Sequence, residues 1–177
     1  MDHKLPLTAA LFVALLSFAA PASAEVDFSV GALVGTGVDT GDADNNPYAL
    51  QLGAFGELIL DDFVIGVRGT RSIGSNGDCV GPNCRDVKDL RSFGGDVGFE
   101  WDLAMLHIGP RIGFGRLSER DSDDGESKRV AGYIEPGAVA EINLLMFLAG
   151  VDLRYRVAFK ESDLNAFLAY ARIGLRF

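Results

Sequence analysis

Histidine, cysteine and long apolar runs are all scarce in this chain, and each scarcity closes off a class of function. Of 177 residues, two are histidine, two are cysteine and one is tryptophan. His3 lies in the N-terminal segment, which leaves His107 alone in the rest of the chain. A hydrolase needs a base beside its nucleophile, and no G-x-S-x-G elbow is present. His107 is expected to make a core hydrogen bond near Glu100, so no catalytic site is expected. Cys79 and Cys84, in Cys-Val-Gly-Pro-Asn-Cys, lack the C-x-x-C spacing and have no histidine nearby. In an exported chain that pair reads as a disulfide stapling a loop. Asp42-Ala43-Asp44-Asn45-Asn46 resembles a calcium loop only faintly, because Pro47 stands where the turn glycine belongs and no glutamate closes it. No metal or cofactor is expected. Beyond residue 24 no 18-residue apolar run exists, which excludes a transmembrane helix. Lysine and arginine number 16 against 25 aspartates and glutamates, a net charge of −9 that disfavours nucleic acid.

What is present starts with an export signal. His3 and Lys4 precede the apolar run Leu7 to Ala20, and Ala22 and Ala24 form an A-x-A cleavage pattern. Residues 1–24 therefore read as a cleaved signal peptide and residues 25–177 as one domain. The chain is 48% hydrophobic with a mean hydropathy of +0.18. An exported, apolar chain without helical spans points to strands.

The apolar period along residues 25–177 is two, the strand period. Val26, Phe28, Val30, Ala32 and Val34 share one face of the first segment, and Asp27, Ser29, Gly31, Leu33 and Gly35 the other. Seven further segments repeat the pattern, through to Phe167, Ala169, Ala171, Ile173, Leu175 and Phe177 against Tyr170, Arg172, Gly174 and Arg176. The fourth is read as one strand from Ser92 to Leu103. Asp61-Asp62, Asp102 to Ala104 and Asn143-Leu144 read as tight turns, whereas residues 37–47, 74–89 and 118–128 read as long polar loops. Those loops and a shorter one at 160–164 hold nearly all of the net charge. Short turns at one end and long loops at the other is the layout of an outer-membrane barrel.

Two features decide which face meets lipid. Most strand glycines, among them Gly31, Gly53, Gly98, Gly113 and Gly137, fall on the polar face, as a crowded eight-stranded interior requires. That face also sets Glu57, Asp96, Glu100, Glu135, Glu141 and Asp152 against Arg68, Arg111, Arg154, Arg156, Arg172 and Arg176, with no lysine among them. Arginine suits buried bidentate pairing with carboxylates, so the polar face is expected to be a paired interior. Outward, Phe63, Trp101, Phe147 and Phe177 approximate an aromatic girdle at the short-turn end, and Tyr48, Tyr155 and Phe159 one at the loop end. The outward charges Arg71, Arg91 and Arg116 all lie at loop ends, placed to meet lipopolysaccharide phosphates or to snorkel to water.

The alternating last segment ending in Phe177 resembles the C-terminal signal read by the barrel-insertion machinery. With the export signal and charged core, the chain resembles the small OmpA/OmpX-like, opacity-type surface-antigen barrels. That resemblance implies an all-β, eight-stranded antiparallel up-and-down transmembrane barrel, monomeric in the bacterial outer membrane. It further implies contacts with lipid and lipopolysaccharide, and loops that engage an extracellular protein or cell-surface ligand. Alternatives are a narrow pore for small solutes and a lipid A-modifying barrel. Pro110 and Pro136 bear on the latter: if their hairpin centres near residue 123 they lie opposite each other and leave a gap in the ladder. Lipid A palmitoyltransferase barrels have similar seams but an apolar acyl pocket where this interior is charged, so a bulge that only bends the strands is the preferred reading.

Overall fold

A computed structural model describes residues 25–40, 46–73, 89–120, 127–159 and 164–177. The expected signal peptide, Cys79, Cys84, the Asp42–Asn45 stretch and most of the acidic loops lie outside the described residues. Within them nine β-segments run in chain order: β1 (Val26–Asp39), β2 (Gln51–Leu60), β3 (Phe63–Ser72), β4 (Asp89–Phe99), β5 (Trp101–Leu103), β6 (Leu106–Arg120), β7 (Ser127–Leu144), β8 (Phe147–Ala158) and β9 (Ala166–Arg176). Neighbours are antiparallel in the order β4-β3-β2-β1-β9-β8-β7-β6-β5, and β6 also pairs with β4, so the sheet closes on itself. Because β4 and β5 lie end to end along β6, nine segments make eight staves. First and last strands join with Val30 opposite Leu175. Closure leaves no unpaired edge, the condition for strands to cross hydrocarbon.

The period-two pattern sorts side chains as the chemistry of each face demands. Along β3 exposed and buried residues alternate, with Phe63, Ile65 and Val67 outward and Val64, Gly66 and Arg68 inward. The outer wall exposes Phe93 at 70%, Ile173 at 65% and Trp101 at 56%, while Arg111, Glu135, Arg154 and Arg172 inside are 2% exposed or less. An apolar belt running round the whole molecule is unstable in water and matches hydrocarbon.

Three two-residue connections join strands at the short-turn end: Asp61-Asp62, Ala104-Met105 and Leu145-Met146. Each begins with a left-handed residue, at φ 53° (Asp61), 62° (Ala104) and 58° (Leu145). The second and third lie further along than the sequence suggested, because Leu103 still pairs with Leu106 and Leu144 with Phe147. An unbroken apolar rim, Leu144-Leu145-Met146-Phe147, gives hydropathy no turn to mark. Tyr48 is also corrected: it precedes β2 and is wholly buried at the loop end, where its hydroxyl donates to the Leu164 carbonyl at 2.7 Å.

Pro110 and Pro136 do not face each other. Pro110 pairs with Ala138 and Pro136 with Ile112, which centres the hairpin one residue later than expected. Each breaks a different ladder. Glu135 and Pro136 drop out of the β7–β8 register. Pro110, lacking an N–H, lies where β6 would pair with the Phe99–Glu100 junction, and the fourth stave divides there into β4 and β5. The orphaned Phe99 carbonyl accepts instead from Arg111 Nη1. The Glu100 amide donates to the Asp62 carbonyl at 2.8 Å.

Candidate functional site: the sealed interior, the arginine rim and the short-turn mouth

The interior is an ion-pair lattice in tiers along the barrel axis. Nearest the short-turn mouth, Glu100 receives Arg111 Nη2 at 3.0 Å and Arg176 Nη1 at 2.5 Å; Arg176 Nε also reaches Asp27 at 2.9 Å. Above it, Arg172 forks onto Glu57 at 2.6 and 3.1 Å, while Ser29 Oγ donates to the same carboxylate at 3.2 Å. The Arg172 guanidinium also lies 4.0 Å from the Phe55 ring centre. Glu141, 3.3 Å from Arg172 Nε, completes that tier.

The middle tier joins five groups. Arg154 bonds Asp152 through Nε and Asp96 through Nη1 at 2.8 Å. Arg68 bonds Glu135 through Nη2 and Asp152 through Nη1 at 3.2 Å, with Asp96 3.8 Å from its Nε. A Cβ on Gly137 would overlap both the Leu153 carbonyl and the Arg154 side chain, so only glycine fits beside that arginine. Next, Arg156 Nε bonds Glu135, and its guanidinium sits 4.8 Å from the Tyr133 ring centre and 5.6 Å from that of Tyr48. The loop end is closed by an apolar cluster that includes Tyr48, Leu90, Leu117, Leu164 and Leu168. All twelve charged residues singled out in the sequence lie on the inward face, and Arg176 alone is set at the rim. Side chains occupy the bore, as an eight-stranded barrel allows.

Outside, at the loop end, Arg71 lies directly across from Arg91, and Arg116 across from Phe93. The three line a groove of about 690 Å³ together with Leu52 and Phe93. Phe177 is outward and 63% exposed; its amide and carbonyl pair with Phe28 at 2.9 and 3.0 Å.

At the opposite end a cavity of about 520 Å³ opens among Glu25, Asp27, Asp61, Asp62, Asp102 and Arg176. His107, at its wall, bonds Asp102 through Nδ1 at 2.5 Å and lies 3.3 Å from Glu100 Oε1. Sequence reasoning placed His107 near Glu100 but missed Asp102, because cross-strand pairing, not chain spacing, brings it there. Gly109 makes the junction possible, since a Cβ there would overlap the Phe99 carbonyl.

No protein-family model and no curated protein sequence matches this chain. Solved structures do. Ail, the attachment invasion locus protein of Yersinia pestis, solved in complex with the heparin analogue sucrose octasulfate, aligns with a TM-score of 0.57 at 16% identity, over 88% of this chain and 99% of that one. Neisserial surface protein A aligns with a TM-score of 0.55 at 14% identity, over 87% of this chain and 97% of that one. Ail in a phospholipid bilayer nanodisc gives 0.50 at 17% identity, over 86% and 100%. Identity this low speaks to architecture alone: this chain has the fold of the small OmpA/OmpX-like outer-membrane β-barrels.

Proposed function

We propose that this chain is an integral outer-membrane protein without catalytic activity, whose acidic loops engage an extracellular protein or cell-surface ligand. One observation carries the reading: the bore is filled by paired charges and the wall is apolar, so recognition falls to the ends of the barrel. A filled bore also argues against a pore. The β6–β7 hairpin adds support. Its strands of 15 and 18 residues exceed the roughly 9–11 that cross a bilayer, so it stands clear of the membrane at the loop end. Ail has been solved with a heparin analogue. The loops here are net acidic by sequence, so a polyanion of that kind is disfavoured by charge and a neutral or basic protein surface suits them better. In the same reading, Arg71, Arg91 and Arg116 hold lipopolysaccharide phosphates. The three line one groove at the loop end, which brings several guanidinium groups within reach of a single phosphate.

The test is capture of surface ligands by the intact barrel and by a variant with residues 121–126 replaced by a short turn. Loss of capture with unchanged heat-modifiable gel mobility supports the reading. Equal capture by both, or stable openings in a planar bilayer, counts against it.

A further inference from the structure

At the short-turn mouth Glu100, the lowest carboxylate of the ion-pair lattice, meets two side chains that the lattice does not use, Asp102 and His107. We infer that Glu100, Asp102 and His107 bind a divalent transition-metal cation, with zinc the ion best matched to them. No motif marks the site, because the ligands converge across the Ala104-Met105 hairpin rather than at a recognisable spacing.

One ligand atom from each residue lies within 4.8 Å of the others. His107 Nδ1 and Glu100 Oε1 stand 3.3 Å apart, the edge of a tetrahedron whose ligands lie about 2.0–2.1 Å from zinc. His107 Nδ1 and Asp102 Oδ1 are closer, at 2.5 Å, because a proton now joins them. Replacing that proton by a metal requires them to part by less than about 1 Å. The Asp102 side chain, 63% exposed, has room to do so. Imidazole with two carboxylates selects zinc over calcium or magnesium, which prefer all-oxygen shells. Three protein ligands leave a fourth position for water.

Buried acceptors beside the cluster point the same way. Glu141 faces His107 directly across the β6–β7 ladder and is 1% exposed, yet neither of its carboxylate oxygens accepts a hydrogen bond. Its nearest cationic atoms are Arg172 Nε at 3.3 Å and Arg176 Nη1 at 3.9 Å. Asn143 Oδ1, in a side chain lining the same cavity, is likewise buried without a donor. Buried acceptors normally have partners; a metal-bound water is a donor of the kind these acceptors lack.

The field favours entry. Five carboxylates (Glu25, Asp27, Asp61, Asp62 and Asp102) and one guanidinium (Arg176) line the cavity, a net −4 when the one is set against the five. Such a cleft concentrates cations. Arg176 is the competitor for Glu100, and Asp27, 2.9 Å from its Nε, is the second carboxylate that retains it when a cation takes Glu100 Oε1. The backbone is fixed around the ligands, since Asp102 and His107 are paired residues of β5 and β6 and the Glu100 amide is tied to Asp62. Fixed ligands lose little freedom on binding.

Zinc is titrated against a chromophoric chelator into the full-length protein, extracted in detergent and stripped of metal. One zinc per chain is expected, with affinity at least about tenfold weaker in His107→Gln and in Asp102→Asn. The double variant Cys79→Ser/Cys84→Ser is expected to bind as wild type, and heat-modifiable mobility shows which variants are folded. Binding unchanged in folded His107→Gln overturns the site, as does binding abolished by the cysteine substitutions. Should His107→Gln not fold, cobalt-loaded wild type decides. An intense tetrahedral visible band supports the ligand set, and its absence overturns it.

Discussion

Replacing Glu135 with glutamine isolates the energetic claim about the interior. Glu135 is fully buried and takes Arg68 Nη2 on one oxygen and Arg156 Nε on the other. The two arginines are not equally exposed to its loss. Arg68 keeps Asp152 at 3.2 Å and Asp96 at 3.8 Å. Arg156 keeps Tyr133 and Tyr48 but has no second carboxylate ion pair among the described residues, and its Nη2 already lacks a hydrogen-bond partner. Two cation–π contacts contribute about 1–2 kcal/mol each when desolvated, short of what an uncompensated buried guanidinium costs. Breaking a buried pair is destabilising by about 3–5 kcal/mol, or at least about a hundredfold in the folding equilibrium. The assay is urea unfolding of the refolded barrel in micelles, followed by Trp101 fluorescence and gel mobility. Adding Arg156→Met to Glu135→Gln removes the stranded charge and is expected to recover part of the loss, whereas adding Arg68→Met is expected to recover less. A Glu135→Gln barrel within about 0.5 kcal/mol of wild type refutes a charge-paired core.

Other predictions follow from single contacts. Gly109→Val places side-chain atoms in the Phe99 carbonyl and should abolish folding, seen as loss of the heat-modifiable band; normal migration contradicts the close approach. Glu57→Gln leaves Arg172 with Glu141 at 3.3 Å and Asp152 at 3.9 Å, so its cost should fall below that of Glu135→Gln in the same unfolding assay. Converting Arg71, Arg91 and Arg116 together to glutamine should reduce lipopolysaccharide co-purification without altering urea stability; undiminished co-purification removes these residues from lipid recognition.

Much of this architecture is legible without coordinates, and the reasons are local. Period-two hydropathy reports strands because a stave has one wet and one greasy face. Inside is separated from outside by glycine and arginine sharing a face, since only a crowded closed space requires small residues beside paired guanidinium groups. Legibility fails where pairing, not chain order, decides the outcome. The rim Leu144-Leu145-Met146-Phe147 is apolar throughout, so the turn at Leu145 has no sequence mark. Tyr48 looks like a girdle aromatic by parity, but it lies outside β2 and packs over Arg156. The division of the fourth stave at Glu100 is caused by Pro110 on its neighbour, and a strand read alone cannot register that. The same irregularity sets Glu100 among Arg111, Arg176 and His107, which is why the mouth cluster emerges only from the closed barrel.

Trp101 gives the most direct measurement of whether the apolar wall faces lipid. It is the single tryptophan of the chain, outward on β5 and more than half exposed. Refolded into liposomes carrying brominated acyl chains, the protein should lose most of its fluorescence, with strongest quenching by bromines near the headgroups, and should resist aqueous iodide. Fluorescence untouched by brominated lipid and quenched by iodide would mean the wall faces water, contradicting the account.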